Sequence, residues 1–323
     1  SCLCLAGSKV GHNQDLVISM ANFTQKVTRA GITLAVLPEW IANFLIKRHL
    51  SVESQIDLIM DLLVPEMEKI RAGEVSHDDE PSYAAMVLNL PKANGQLRTP
   101  QEAAFYFKNI VLASIHTTTT FASFALHELA CRPALQAELR AEIEKLGNDR
   151  TPETVSQIRL LDSLLREVLR YDTSYLGMHH KALDNVILST GQMIPRGSLV
   201  LGAMYDAHIC PAYMPETAAL GSSCPLDQFD AHRFMHANDD SSCSSASSVG
   251  PEYMTFGMFA HACPGRYFAV DEIKYILAEM IMRYDLTTKS GKRAKDYVLR
   301  GITRFPPREP LEFTGRSITT TSR

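Results

Sequence analysis

The chain has 323 residues, 46% hydrophobic and 21% charged, with 32 Lys+Arg against 36 Asp+Glu. The formal charge of −4 excludes nucleic-acid binding driven by overall positive charge, and a composition in the ordinary globular range excludes a mainly disordered chain. With no basic-then-apolar leader and no apolar run of membrane-spanning length, the chain as read is expected to be soluble or peripheral.

Apolar residues recur at helical spacing over residues 14–71, as in Ile56, Ile59, Leu62, Leu63 and Met67, broken by Pro38 and stopped at Arg71-Ala72-Gly73. Residues 76–95 read as a surface connection with a short apolar insert at 84–90. Thr99-Pro100-Gln101-Glu102 then opens a helix that meets no proline or glycine before Pro133, a span of roughly 45 Å. Such a helix is expected to run through the middle of a fold over about 100–131. Lys108, Asn109 and His116 make it too polar to span a membrane. Two more helices follow, at 133–146 and at about 154–171.

Between residues 182 and 204 the pattern changes to short β-type runs, Val186-Ile187-Leu188 and Leu199-Val200-Leu201, parted by Gly191, Pro195 and Gly197. Residues 237–250 are serine-rich and read as a mobile or inserted loop. A last helix is expected at about 266–284, followed by a polar tail from Arg316. The seven cysteines, at 2, 4, 131, 210, 224, 243 and 263, are odd in number and contain no C-x-x-C. They point to reducing surroundings and away from a structural zinc site or a disulfide framework.

Three segments carry candidate chemistry. In Phe256-Gly257-Met258-Phe259-Ala260-His261-Ala262-Cys263-Pro264-Gly265-Arg266, a cysteine stands at the amino end of a helix, where unpaired N–H groups and the dipole favour a thiolate able to ligate a metal. The alternative is a small buried cysteine at a turn. Glu167 and Arg170 are three apart on one helical face and can pair. Phe229 to Phe234 encloses Arg233 between aromatic residues. The Thr117–Thr120 run reads as a helical stretch whose hydroxyls bond back to the preceding turn and bend it.

In order and spacing, these pieces, with Ala113 to Thr118 of the long helix, resemble the cytochrome P450 family of haem-thiolate monooxygenases, and HACPGR resembles its filamentous-fungal members. The resemblance covers about residues 100–285 and implies a mainly α fold with small β-sheets. It implies one cytochrome P450-like domain over 1–323 that begins inside the family's helical half, without the first third of a full-length member. Cys263 is then the axial thiolate ligand of haem b (iron protoporphyrin IX), the cofactor this ligation serves. Phe256 packs near the sulfur, Gly265 gives room at the turn, His261 and His180 meet the propionates, and Arg266 joins these cofactor contacts. Glu167, Arg170 and Arg233 form the family's structural cluster. Thr117 and His116 are the catalytic pair that relays protons, an imidazole being able to do so near neutral pH.

The activity so implied is oxidation of an apolar small molecule by O2, in fungi a secondary metabolite of terpenoid or polyketide type, with NADPH acting through a reductase partner and no nucleic acid. Full-length members are expected at the endoplasmic reticulum membrane. Two positions depart from the family pattern: Phe259 stands where glycine is usual four residues before the ligand, and His180 where arginine is common. They keep open a second reading, a catalytically impaired binding protein, and a third, an incomplete fragment.

Overall fold

The structure is a computed structural model that describes residues 2–74, 82–147, 149–214, 223–235 and 245–316. It divides into two units, Ser1–Thr117 and Thr118–Arg323, the boundary falling inside one long helix.

The first unit is helical: α1 Cys2–Ala6, α2 Ser8–Gly11, α3 Gln14–Val36, α4 Glu39–His49, α5 Glu53–Ala72, α6 Tyr83–Asn89 and the start of α7 Pro100–Ala130. Asn13 caps α3, its side-chain oxygen accepting from the N–H groups of Asp15 and Leu16. Leu16, Met20 and Phe23 form one buried face of α3, in one core with Ile59, Leu63 and Met67 of α5 and with Ala103, Phe107 and Val111 of α7. α5 ends at Gly73, whose φ of 76° is the left-handed conformation that closes a helix. The apolar insert at 84–90 is the helix α6, capped by Ser82 and burying Ala84, Ala85, Val87 and Leu88. Seven residues are too few to show a period, and burial in a core, which the sequence does not display, holds them helical. Thr99 and Glu102 close a reciprocal capping box on α7.

The second unit holds the rest of α7, then α8 Pro133–Glu144, α9 Pro152–Ser156 and α10 Arg159–Tyr171. The helix expected over about 154–171 is therefore in two pieces. Ile158 between them is extended and buried, and the Ser156 carbonyl left over at the break accepts from Lys274 Nζ at 2.9 Å. Four two-stranded antiparallel sheets follow among the described residues: β1 Leu176–Lys181 with β4 Leu199–Ala203, β2 Val186–Ile187 with β3 Met193–Ile194, β5 Tyr284–Thr288 with β8 Leu311–Gly315, and β6 Tyr297–Leu299 with β7 Thr303–Phe305. The fold is thus mainly α with small sheets. The helices α11 Met204–Ile209 and α12 Arg266–Arg283 complete it.

The core of this unit is built around α10, where Leu160, Leu161, Leu164, Leu165, Val168 and Leu169 meet Val270, Ile273, Leu277 and Ile281 of α12 and Phe124, Ala125 and Leu129 of α7. Of the serine-rich loop, residues 237–244 lie outside the described part, as do residues 317–323 of the tail. The described end of the loop is not loose, which corrects its reading as a mobile segment up to 250. Ala246 is fully buried and donates its N–H to Asp162, while the Ser245 carbonyl accepts from Arg166. Long-range partners order a stretch whose own composition would not. No helix among the described residues is long and apolar enough to cross a membrane.

Candidate functional site

The site is founded on a buried ion cluster. Glu167 and Arg170, three apart on α10, have fully buried side chains, and Arg170 holds the carboxylate with two bonds, Nε to Oε2 at 2.7 Å and Nη2 to Oε1 at 2.8 Å. Arg233, equally buried, donates Nε to the same carboxylate at 3.1 Å. Every remaining donor of the two guanidiniums that touches protein is used on backbone: Arg170 Nη1 on the carbonyls of His208 and Leu226, and Arg233 on those of Cys224, Pro225 and Gln228. Glu167 Oε1 also accepts the Asp230 N–H at 3.0 Å. One carboxylate against two guanidiniums is costly to bury, and these hydrogen bonds offset the cost while tying residues 224–233 to α10.

The cysteine loop hangs from the same helix. Thr255 donates its hydroxyl to the Leu169 carbonyl at 2.7 Å. His208 of α11, fully buried, lies 3.0 Å from the Arg170 carbonyl through Nδ1 and accepts the Met254 N–H on Nε2 at 2.8 Å. Acceptor duty on Nε2 places the ring proton on Nδ1, which donates to Arg170. Burial, with Arg170 and Arg166 nearby, pushes the imidazole down to about 4 from its ordinary 6.5. Tyr253 stacks on this ring, its hydroxyl donating to the Ala246 carbonyl, and burial pushes that phenol well up.

Beyond Thr255 the loop closes on itself. The Cys263 N–H donates to the Phe256 carbonyl at 2.7 Å, and a 3₁₀ turn, Phe259–His261, lies between them. Two residues of the loop are left-handed, Gly257 at φ 74° and Phe259 at φ 51°. A Cβ on Gly257 would lie 2.9 Å from the His261 carbonyl oxygen, so the backbone itself demands glycine there. Gly265 is different: its φ of −86° suits any residue, and a Cβ on it would meet no protein atom. Cys263 is half-buried and precedes the first turn of α12, which has 18 residues. The Phe259 side chain, 86% exposed, leaves the core altogether.

The remaining expected site residues fall into two groups. His180 and His261 come together, their rings 5.9 Å apart and nearly perpendicular. A bulge between Gly177 and His180, at which Met178 has a φ of 49°, sets the register of β1 at this histidine. Arg266 bends back instead, Nη1 donating to the Cys263 carbonyl at 3.0 Å and Nη2 to the Tyr267 hydroxyl, so that it braces the turn. Phe256 is partly buried against the core. In the first unit, Thr117 donates its hydroxyl to the Ala113 carbonyl at 2.6 Å, the back-bonding arrangement. His116 neighbours it on α7, in the same unit.

The donor set fits an iron porphyrin. One soft sulfur stands at a helix amino end, two imidazoles meet within two residues of it in sequence or across a ring contact, and the buried Arg266 Nε has no protein partner. Sequence patterns did not single out His208, Thr255 or Tyr253. Only the spacing of His208 from Arg170, 38 residues in sequence and one hydrogen bond in space, makes its role visible.

A family model described as Cytochrome P450 matches residues 1–312. The chain belongs to the cytochrome P450 family. Among similar proteins are cytochrome P450 monooxygenase adrA of Penicillium rubens, 31% identical over 88% of this chain and 56% of its own length, and cytochrome P450 monooxygenase ascG of Acremonium egyptiacum, 32% identical over 71% of this chain and 46% of its own. The chain spans about half the length of the curated relatives it matches. Of solved structures, the haem domain of cytochrome P450DA superposes with a TM-score of 0.68 at 21% identity, covering 92% of this chain and 60% of that one, which establishes the fold.

Proposed function

We propose that this cytochrome P450 chain is the haem-binding part of a monooxygenase that oxidises an apolar small molecule. The observation that carries the reading is the seat of Cys263, at the amino end of α12 in a loop hydrogen-bonded to the helix of the buried Glu167–Arg170–Arg233 cluster. In this reading Cys263 holds the iron through its thiolate, His261 and His180 receive the propionates, Phe256 packs beside the sulfur and Gly265 leaves room at the turn. When bound, the haem supplies activation of O2, using electrons that originate on NADPH and arrive through a reductase.

The residues of this chain do the rest. The Cys263 N–H held by the Phe256 carbonyl, and the Cys263 carbonyl held by Arg266, fix where the sulfur stands. With its own proton engaged by Ala113, the Thr117 oxygen remains an acceptor, and His116 beside it is the proton reservoir of the relay. The fungal source of the relatives supports a secondary metabolite of terpenoid or polyketide type as substrate; the same reading has the full-length protein at the endoplasmic reticulum membrane. The match of the family over nearly the whole chain supports the two units as parts of one domain.

The test is spectroscopic. The chain expressed with haem supplied, reduced and exposed to carbon monoxide is expected to give the red-shifted Soret band of a thiolate-ligated carbonyl, and Cys263→Ala is expected to lose that band. Persistent failure of the wild-type chain to take up haem would favour the binding-protein reading and sink this one.

A further inference from the structure

Residues 254–263 must present one sulfur in one place, yet the loop contains two left-handed residues and an exposed phenyl group, and its only intraloop tie to the cysteine is the bond from Cys263 N–H to Phe256. Its entrance is fixed from outside at two consecutive residues. Thr255 is bonded directly to the Leu169 carbonyl, and Met254 is bonded to the next carbonyl of α10, that of Arg170, with His208 as the link. The two bonds on His208 use opposite ring nitrogens, one as donor and one as acceptor, so the imidazole spans the gap between helix and loop in one tautomer only.

We propose that His208 is a positioning residue for Cys263, transmitting the place of α10 to the ligand loop through the acceptor nitrogen Nε2. The role as aid to metal ligation rests on the reading of Cys263 as the haem ligand; the tether itself does not. The charged and titratable groups that act on this imidazole are Arg170 and Arg166 on α10, and Tyr253 stacks on it from the loop side. Glu167 is bonded to Arg170, so the charge nearest the ring is already paired. Among the described residues no other group is bonded to the Met254 N–H, and a part-buried N–H that loses its acceptor costs free energy.

Two amides separate the bonds of the imidazole. Glutamine places an oxygen where Nε2 stands, so His208→Gln retains the acceptor for Met254, while the bond from Arg170 Nη1 to the backbone carbonyl of residue 208 keeps that residue tied to α10. Asparagine places its NH2 where Nδ1 stands, so that His208→Asn keeps only the bond to Arg170. His208→Leu keeps neither. Amide hydrogen exchange is followed over residues 254–263 and, as control, over α10, in the chain as expressed, with and without haem. Exchange in the loop is expected to rise about tenfold in the Asn and Leu variants and to stay within about twofold of wild type in the Gln variant, α10 changing little in any. At equal haem content, the Asn and Leu variants are expected to show a smaller share of the thiolate-ligated carbonyl band than the Gln variant.

A residue that merely fills space would treat Asn and Gln alike, and that result would overturn the proposal. So would an unchanged loop in the Leu variant, or a rise spread equally over α10 and loop. Should the Leu variant fail to fold, the comparison of Asn with Gln decides. If the wild-type chain takes up no haem, the Cys263 reading falls while the exchange measurements still judge the tether.

Discussion

Phe259 is the residue at which sequence and backbone disagree. The position takes φ 51°, a conformation natural to glycine that costs a side-chain-bearing residue about 1–2 kcal/mol, and the phenyl group recovers none of this by packing, being 86% exposed. Replacing it by glycine removes the strain but adds unfolded-chain entropy of about 0.5–1 kcal/mol, so Phe259→Gly is expected to be net stabilising by roughly 0.5–1 kcal/mol. A higher denaturant midpoint at unchanged m checks this, and a lower one refutes it. Gly257→Ala runs the other way, because its φ is also left-handed and the added Cβ would press on the His261 carbonyl. The family pattern in the sequence showed that a glycine was missing at 259. It could not show that the backbone keeps the glycine conformation regardless, since φ is set by the bonds from Ala262 N–H to Phe259 and from Cys263 N–H to Phe256.

At the scale of an element, α10 is unusual because every residue from Ser163 to Arg170 is buried, including Arg166, Glu167 and Arg170. An amphipathic surface helix would place such charges in water. Here the carboxylate of Glu167 compensates two guanidiniums at once, and its neutral isostere would leave both in a dry interior. Glu167→Gln is therefore expected to destabilise by about 3–5 kcal/mol, measured by chemical denaturation, and a loss below about 1 kcal/mol would mean that the backbone carbonyls alone satisfy Arg170 and Arg233. The spacing of Glu167 and Arg170 was legible in the sequence because helical neighbours are fixed by period. Burial was not, since it depends on Arg233, 63 residues beyond Arg170, and on carbonyls from residues 208 to 228. The same limit explains the break at Ile158 and the helix α6, where local propensity is outweighed by distant packing.

At the scale of the whole molecule, periodicity and capping made α7 and α12 legible to within a residue or two, whereas of the second unit's strands, two to six residues long, those within 182–204 showed only as a change of pattern and β1 and β5 to β8 did not show. What no sequence pattern could show is which histidines the folded chain keeps neutral. His208 does so at about 4, and burial together with Arg293 also lowers His127. Above the ordinary histidine value of about 6.5 neither folded nor unfolded chain holds a proton on His208, and its contribution to stability is fully present. As pH falls from about 6.5 towards 4 the unfolded chain binds a proton that the folded chain refuses, so stability declines by up to about 1.4 kcal/mol per pH unit on account of this residue alone. Between pH 7 and pH 5 the loss amounts to about 2 kcal/mol. Other groups titrate as well, and comparison with His208→Gln subtracts them: the wild-type chain is expected to lose about 2 kcal/mol more than the variant over that interval. The transition is followed by circular dichroism, because the single tryptophan, Trp40, lies in the other unit and is largely exposed. Equal losses in the two chains would show that the imidazole accepts a proton in place, and with it that the bond from Met254 to Nε2 can be given up without unfolding the molecule.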